Sequence, residues 1–177
     1  MVASQIDFAD ALPKLEKPYL DASVFMAHVK REGTVCPSGQ TRYEITTNIM
    51  AGAQKKKYVL YTSVITIAEV RRLKESKNEL SNDELAEFNE RFAEFVQHDW
   101  MLPMEVNRDI SEEAQRLGAT YGIYPMDAIH VASALYWECN VFMVWDKHSL
   151  TSKLPRRLGS LYISEPYWEG IIPMSAK

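Results

Sequence analysis

The sequence predicts an α/β fold in which a mainly parallel sheet carries helices on both sides. Runs with strand character alternate with runs at helical spacing from Pro18 to Ser164, the order expected of a parallel sheet. Val141-Phe-Met-Val-Trp145 is apolar without alternation, as in a strand buried on both faces. The chain has 177 residues, 46% of them hydrophobic. At that size a domain buries roughly 70% of its unfolded surface and needs no disulfide or structural metal to hold a core.

Taken in order, Pro18-Tyr-Leu-Asp21 is a short extended segment, followed by a helix carrying Val24, Phe25 and Val29. Asp21 then stands at the carboxyl end of the first strand. Gly33, Pro37 and Gly39 mark a loop, and Tyr43 to Ala53 suits a second helix ending in Lys55-Lys56-Lys57. Tyr58 to Thr62 is β-rich, with Ser63 as N-cap of a helix running to about Lys74 and carrying Glu69 in its first two turns. Ser81-Asn-Asp-Glu84 is a capping box, and Leu85, Phe88, Phe92 and Phe95 follow at spacings of three and four. Trp100 to Val106 suits a short strand. Asp109-Ile-Ser-Glu112 opens a helix with Ile110, Ala114 and Leu117 inward, ended by Gly118 or Gly122. Pro125 starts a helix with Asp127 in its first turn. Asp146 directly follows the buried strand, and Leu161 to Ser164 is the last strand.

With no repeat and no low-complexity linker, the simplest division is an N-terminal arm, 1–17, and a single domain, 18–177. The stretch Val59 to Ala68 is interrupted by Thr62, Ser63 and Thr66 and falls far short of a membrane span. Met1 to Leu12 carries Asp7 and Asp10 and lacks the pattern of a secretory signal, so a cytoplasmic location is expected. Cys36 and Cys139 are too few and too far apart for a zinc site or a disulfide framework and read as reduced thiols. With 24 acids against 20 Lys and Arg, the net charge is -4. A protein that grips nucleic acid through gross positive charge is therefore excluded; such a role needs local basic patches or a site that brings its own cations.

Ligands of open parallel sheets bind beyond the carboxyl ends of the strands. Asp21, Glu69, Asp127 and Asp146 all map to that edge. Crowded carboxylates raise one another's pKa unless a cation compensates them. With oxygen donors only, a hard ion is preferred: Mg²⁺, with Mn²⁺ as a substitute. One or two such ions can activate water for attack on a phosphodiester and stabilise the leaving oxygen. Taken singly, Asp21 and Asp146 also suit ordinary turn aspartates, Asp127 a helix-dipole acid, and Glu69 a solvated residue paired with Arg72.

Tyr19-Leu-Asp21-Ala-Ser23, Thr62-Ser-Val-Ile-Thr-Ile-Ala-Glu69-Val, Met126-Asp127-Ala-Ile-His-Val-Ala-Ser-Ala and Phe142-Met-Val-Trp-Asp146 follow one another across residues 18 to 164. In order, residue type and approximate spacing this series resembles the PIN-domain nucleases. The resemblance implies a three-layer α/β/α sandwich around a mainly parallel sheet, a Mg²⁺- or Mn²⁺-dependent endoribonuclease activity on RNA, and frequently a homodimer. Many small bacterial members are the toxin half of VapBC toxin–antitoxin modules, which makes a cognate antitoxin an expected partner. Carried over by position, Asp21, Glu69, Asp127 and Asp146 would be the catalytic, metal-binding acids, and Ser23 would help order the attacking water.

The sequence departs from the family pattern in three places. Val144 stands where many relatives have Thr or Ser, the interval from Asp21 to Glu69 is long for a compact toxin, and the arm is extra. Among other residues, His130 lies one turn after Asp127, where packing or a backbone hydrogen bond is favoured over catalysis. His148 could touch a substrate phosphate or be a surface turn residue. Arg71 and Arg72, on the helix of Glu69, are the best of the basic clusters for an RNA backbone, ahead of Lys55–Lys57 and of Lys153 with Arg156-Arg157. Phe88, Phe92 and Phe95 read as core or dimer interface rather than base-stacking residues; Tyr167 and Trp168 stay open. Two other functions compete with the nuclease. One is a PIN-like module that binds RNA or protein without cleaving, mildly favoured by Val144. The other, an aspartyl-phosphate enzyme using Asp21, is disfavoured because Ser23 stands where a second Asp is needed.

Overall fold

In a computed structural model, which describes residues 13–71, 82–145 and 150–168, six strands form one sheet: β1 (Pro18–Leu20), β2 (Leu60–Ser63), β3 (Met101–Met104), β4 (Val141–Met143), β5 (Arg157–Leu158) and β6 (Leu161–Ser164). Their order is β3-β2-β1-β4-β6-β5, parallel throughout except for β5, which pairs antiparallel with β6. The helices are α1 (Ala22–Val29), α2 (Arg42–Gln54), α3 (Ile65–Arg71), α4 (Asn82–Phe95), α5 (Arg108–Tyr121), α6 (Pro125–Tyr136) and α7 (Leu150–Lys153).

Strand alternation divides the core in two. On β1 and β4, Leu20, Val141 and Met143 face a cluster with Phe25, Ile45, Ile49 and Phe92 from α1, α2 and α4. Tyr19 and Phe142 face the opposite cluster, with Ile110, Leu117, Val131 and Leu150 from α5, α6 and α7. The expected three-layer sandwich is thus observed, and β4 is buried on both faces.

Local signals explain the element ends. Asn107, not Asp109, caps α5, its side chain accepting from Ile110 N at 2.9 Å; Asp109 sits in the first turn. Gly122 closes that helix with φ 63°, a left-handed turn that glycine adopts without strain. In α2 the pair Thr41 and Glu44 forms a capping box that the sequence reading passed over. The capping box expected at Ser81 lies outside the described residues. β2 begins two residues later than expected because Tyr58 is used elsewhere: its hydroxyl donates to Ile49 O at 2.8 Å, and its ring lies against Gly52 of α2. Of the N-terminal arm, residues 13–17 pack on the body, with Lys17 N donating to Asn140 Oδ1 at 2.7 Å and Tyr167 donating to Pro13 O at 2.6 Å.

Gly52 sets up a test of packing against propensity. Alanine in a helix interior is worth about 1 kcal/mol over glycine, but here a Cβ would overlap the buried Tyr58 hydroxyl and ring. Overpacking costs about 1–3 kcal/mol, so Gly52→Ala is expected to lower stability in chemical denaturation; a gain would show that Tyr58 moves aside without cost.

Candidate active site

After β1 the chain builds outward through β2 to β3 and then returns to the other side of β1 as β4. The strand order therefore reverses between β1 and β4, the switch point beyond whose carboxyl ends such sheets bind their ligands. Asp21 follows β1 at this point. Its backbone N–H donates to Met143 O at 3.0 Å, which ties it to the end of β4. Its Oδ2 accepts from Ser23 N at 2.8 Å, capping α1. Ser23 continues the link between the two strand ends: its Oγ accepts from Trp145 N at 3.0 Å. The Ser23 oxygen expected to order water is thus also engaged in joining the exits of β1 and β4.

Glu69 reaches the same place from α3. At the base of that helix, buried Thr62 donates to Leu20 O at 2.8 Å and shares a 2.7 Å hydrogen bond with Thr66. These hydroxyls fix the start of α3 to the end of β1 and so place Glu69 relative to Asp21. From α6, His130 is 1% exposed, and its Nε2 lies 2.6 Å from Glu69 Oε2 and 3.8 Å from Asp21 Oδ1. Its Nδ1 is 2.8 Å from the Tyr19 hydroxyl.

The hydrogen-bond roles follow from elementary inventory. An ionised carboxylate only accepts, so Nε2 carries the proton shared with Glu69 whichever form Nδ1 takes. Burial pulls the His130 pKa down, but the Glu69 hydrogen bond and the charges of Asp21, Glu69 and Asp127 outweigh it and leave the group above its ordinary value. The Tyr19 phenol is held far above its ordinary range by burial, reinforced by the charge of Asp21, and keeps its proton. In this arrangement Nε2 has no lone pair to offer, so His130 is neither an ion ligand through that nitrogen nor a free base.

Asp127 lies in the first turn of α6 and is half-buried. Its charge acts on His130, which places it in the same electrostatic neighbourhood. Asp146 and His148 lie outside the described residues, as do Arg72 and the side chain of Arg71. Val144 is buried in the α5–α6 cluster and puts a hydrocarbon at the position where many relatives have Thr or Ser. Lys55–Lys57 are exposed but precede β2, at the sheet edge opposite Asp21. Lys153 donates to Gly122 O at 2.9 Å and lies over the Tyr124 ring, bracing the turn into α6. Phe92 and Phe95 meet Phe25 edge to face and are core residues; the Phe88 side chain is not among those described. Buried Tyr167 and half-buried Trp168 hold loops rather than an open groove. Cys36 and Cys139 are free thiols, and burial pushes Cys139 up to about 12, which makes it inert.

Sequence reasoning missed Tyr19 and the role of His130. His130 carried a signal, since its i+3 spacing from Asp127 puts both on one helical face. Tyr19 carried none beyond its place beside Asp21.

The fold agrees with comparisons to known proteins. No curated protein sequence matches the chain. Among solved structures, FitAcB from Neisseria gonorrhoeae is similar at a TM-score of 0.57 and 14% identity, covering 84% of this chain and 97% of that one. VapBC2 from Rickettsia felis, bound to a promoter DNA fragment, is similar at 0.56 and 12%, covering 84% and 98%. The sarcin-ricin-loop-cleaving VapC toxin of Mycobacterium tuberculosis is similar at 0.55 and 15%, covering 79% and 98%. At these identities the likeness is one of fold. The family model for the PIN domain matches residues 19–148, a span that runs from within β1 past β4 and takes in Asp21, Glu69, Asp127 and Asp146; the chain belongs to the PIN domain family.

Proposed function

We propose that the chain is an endoribonuclease that hydrolyses RNA phosphodiester bonds with Mg²⁺ or Mn²⁺, with Asp21, Glu69, Asp127 and Asp146 as the acids that hold the ion. The observation that supports this most directly is the meeting of Asp21 and Glu69, far apart in the chain, at one buried imidazole beyond the carboxyl ends of β1 and β4. Among the described residues no three His, Cys, Asp or Glu side chains form a group that could hold a metal ion by themselves, so the reading needs Asp146. The donor chemistry fits a hard cation: oxygen donors, no thiolate, and an imidazole whose nearest nitrogen is already committed to Glu69. When bound, such an ion would lower the pKa of water and polarise the phosphoryl oxygen.

The chain's own residues do the rest. Asp21 and Glu69 each have one oxygen engaged, by Ser23 N–H and by His130, which limits the rotation of both carboxylates. Ser23 and Trp145 hold the exits of β1 and β4 together. No side-chain nucleophile is required.

Solved neighbours described as a sarcin-ricin-loop-cleaving toxin and as a member of the VapBC family of toxin–antitoxin systems support the toxin of such a module, with an antitoxin protein as partner; a homodimer in the cytoplasm is the assembly and place that the resemblance to the PIN-domain nucleases implies. No helix among the described residues is long and apolar enough to cross a membrane. The non-cleaving binding module is the second reading, favoured by the hydrocarbon at Val144.

Incubating the purified chain with structured and single-stranded RNA distinguishes the two. Cleavage with Mg²⁺ or Mn²⁺ that stops on chelation and returns on re-addition of the ion is the expected result. Binding of RNA without cleavage under any divalent ion would establish the second reading.

A further inference from the structure

His130 has the geometry of a residue that acts through another. It is buried between three groups, with Tyr19 on Nδ1 at 2.8 Å, Glu69 on Nε2 at 2.6 Å and Asp21 Oδ1 3.8 Å from the same Nε2. Tyr19 is itself fully buried, its ring stacked on Phe142 with centroids 5.5 Å apart and edge-on to His130 at 5.9 Å. The phenol is anchored in β1 within the α5–α6 cluster, and the imidazole is buried beside it on α6. Glu69 is the most exposed of the three partners, its side chain 26% accessible against 11% for Asp21, with Tyr19 fully buried. A half-buried Glu still has three rotatable bonds and loses entropy when fixed; a buried donor at 2.6 Å fixes it before any ligand arrives.

We infer that His130, oriented by Tyr19, is a positioning residue for Glu69: it commits Oε2 to Nε2–H and leaves Oε1 as the oxygen for a divalent ion. This deepens the proposed nuclease reading and rests on it. The hydrogen bond survives either form of Nδ1, because the carboxylate can only accept and Tyr19 can donate to Nδ1 or accept from it. Groups that orient a ligand in this way typically contribute 10–100-fold in ion affinity or activity.

The test is Mn²⁺ titration by calorimetry, without RNA, on the wild-type chain and on His130→Leu, His130→Gln and Tyr19→Phe, each checked by its thermal melt. His130→Leu is expected to weaken Mn²⁺ binding about 10–100-fold. His130→Gln, whose amide can donate to Glu69, should recover most of that affinity, and Tyr19→Phe should show a smaller loss in the same direction. In RNA cleavage, the His130→Leu deficit should shrink as Mn²⁺ is raised, since affinity rather than the chemical step is impaired. Wild-type Mn²⁺ affinity in His130→Leu, or a loss that His130→Gln does not recover, overturns the inference while leaving the nuclease intact. Absence of Mn²⁺ binding by the wild-type chain overturns the nuclease reading and the inference with it. If His130→Leu does not fold, Tyr19→Phe decides: wild-type Mn²⁺ affinity in that variant overturns the inference, and a loss in it beside retained affinity in His130→Gln supports it.

Discussion

Asp21→Asn is expected to cut metal-dependent RNA cleavage by about 10²–10³-fold, the scale of losing one electrostatic contributor in a preorganised site, while leaving the fold nearly as stable. The two halves of this expectation come from different atoms. As the N-cap of α1, Asp21 accepts from Ser23 N through Oδ2, and an asparagine oxygen accepts the same bond, Asn and Asp being comparable caps. Loss of the charge at the helix N-terminus costs about 0.3–1 kcal/mol. What Asn does not replace is the anionic oxygen 3.8 Å from His130 Nε2. Asp21→Ala should lose both functions, with a further cost of about 1 kcal/mol for the missing cap. The series separates two explanations that the sequence alone left open, a turn aspartate and a catalytic acid. If Asp21→Asn cleaves RNA like the wild type while Asp21→Ala is destabilised, the residue is a cap and nothing more, and the assignment of this acid fails. Thermal melts and initial cleavage rates on the same preparations decide it.

The site was legible where the chemistry is adjacent in sequence to a strand end. Asp21 follows a strand that Pro18 and its apolar neighbours announce, and the parallel sheet follows from alternating elements, so one edge for all the acids was a derivation from topology. What sequence cannot show is which helix side chains meet across that edge. His130 and Glu69 belong to helices on opposite sides of the sheet, packed in different clusters, and their contact depends on α3 being tied to β1 by Thr62 and Thr66. Nothing in local periodicity encodes that approach. Hence the sequence reading favoured packing or a backbone bond for His130, whereas the imidazole is packed and also bonded to the carboxylate of Glu69. The short elements α7 and β5 escaped for a simpler reason: four and two residues are below the length at which periodicity can be read. In the region 32–57, by contrast, the helix expected from Tyr43 to Ala53 is α2, and only its capping box went unread.

Trp145→Ala is the substitution expected to cost the fold most, about 3–5 kcal/mol. For a chain of this size, each kcal/mol lowers Tm by about 2–4 °C, so a drop of roughly 10 °C should appear in a thermal melt. Trp145 is 1% exposed and the largest of the fully buried side chains. It also connects three parts of the molecule: its backbone N–H donates to Ser23 Oγ at 3.0 Å, its ring packs in the α1–α2 cluster, and the Arg42 guanidinium lies 4.7 Å from the ring centroid. Arg42 is held in turn by Glu32 at 3.2 Å. This is how the long segment between Asp21 and Glu69 reaches the site, since α2 begins at Arg42 and supports the residue directly before Asp146. Trp145→Phe should be much milder. It keeps an aromatic face for Arg42 and removes an indole N–H that has no hydrogen-bond partner among the described residues, so only the smaller ring volume is lost. A Phe variant as unstable as the Ala variant would mean that the indole shape itself is required. An Ala variant with native stability would mean that the core collapses to fill the space, and that the link from α2 through Trp145 to Ser23 carries little of the fold's stability.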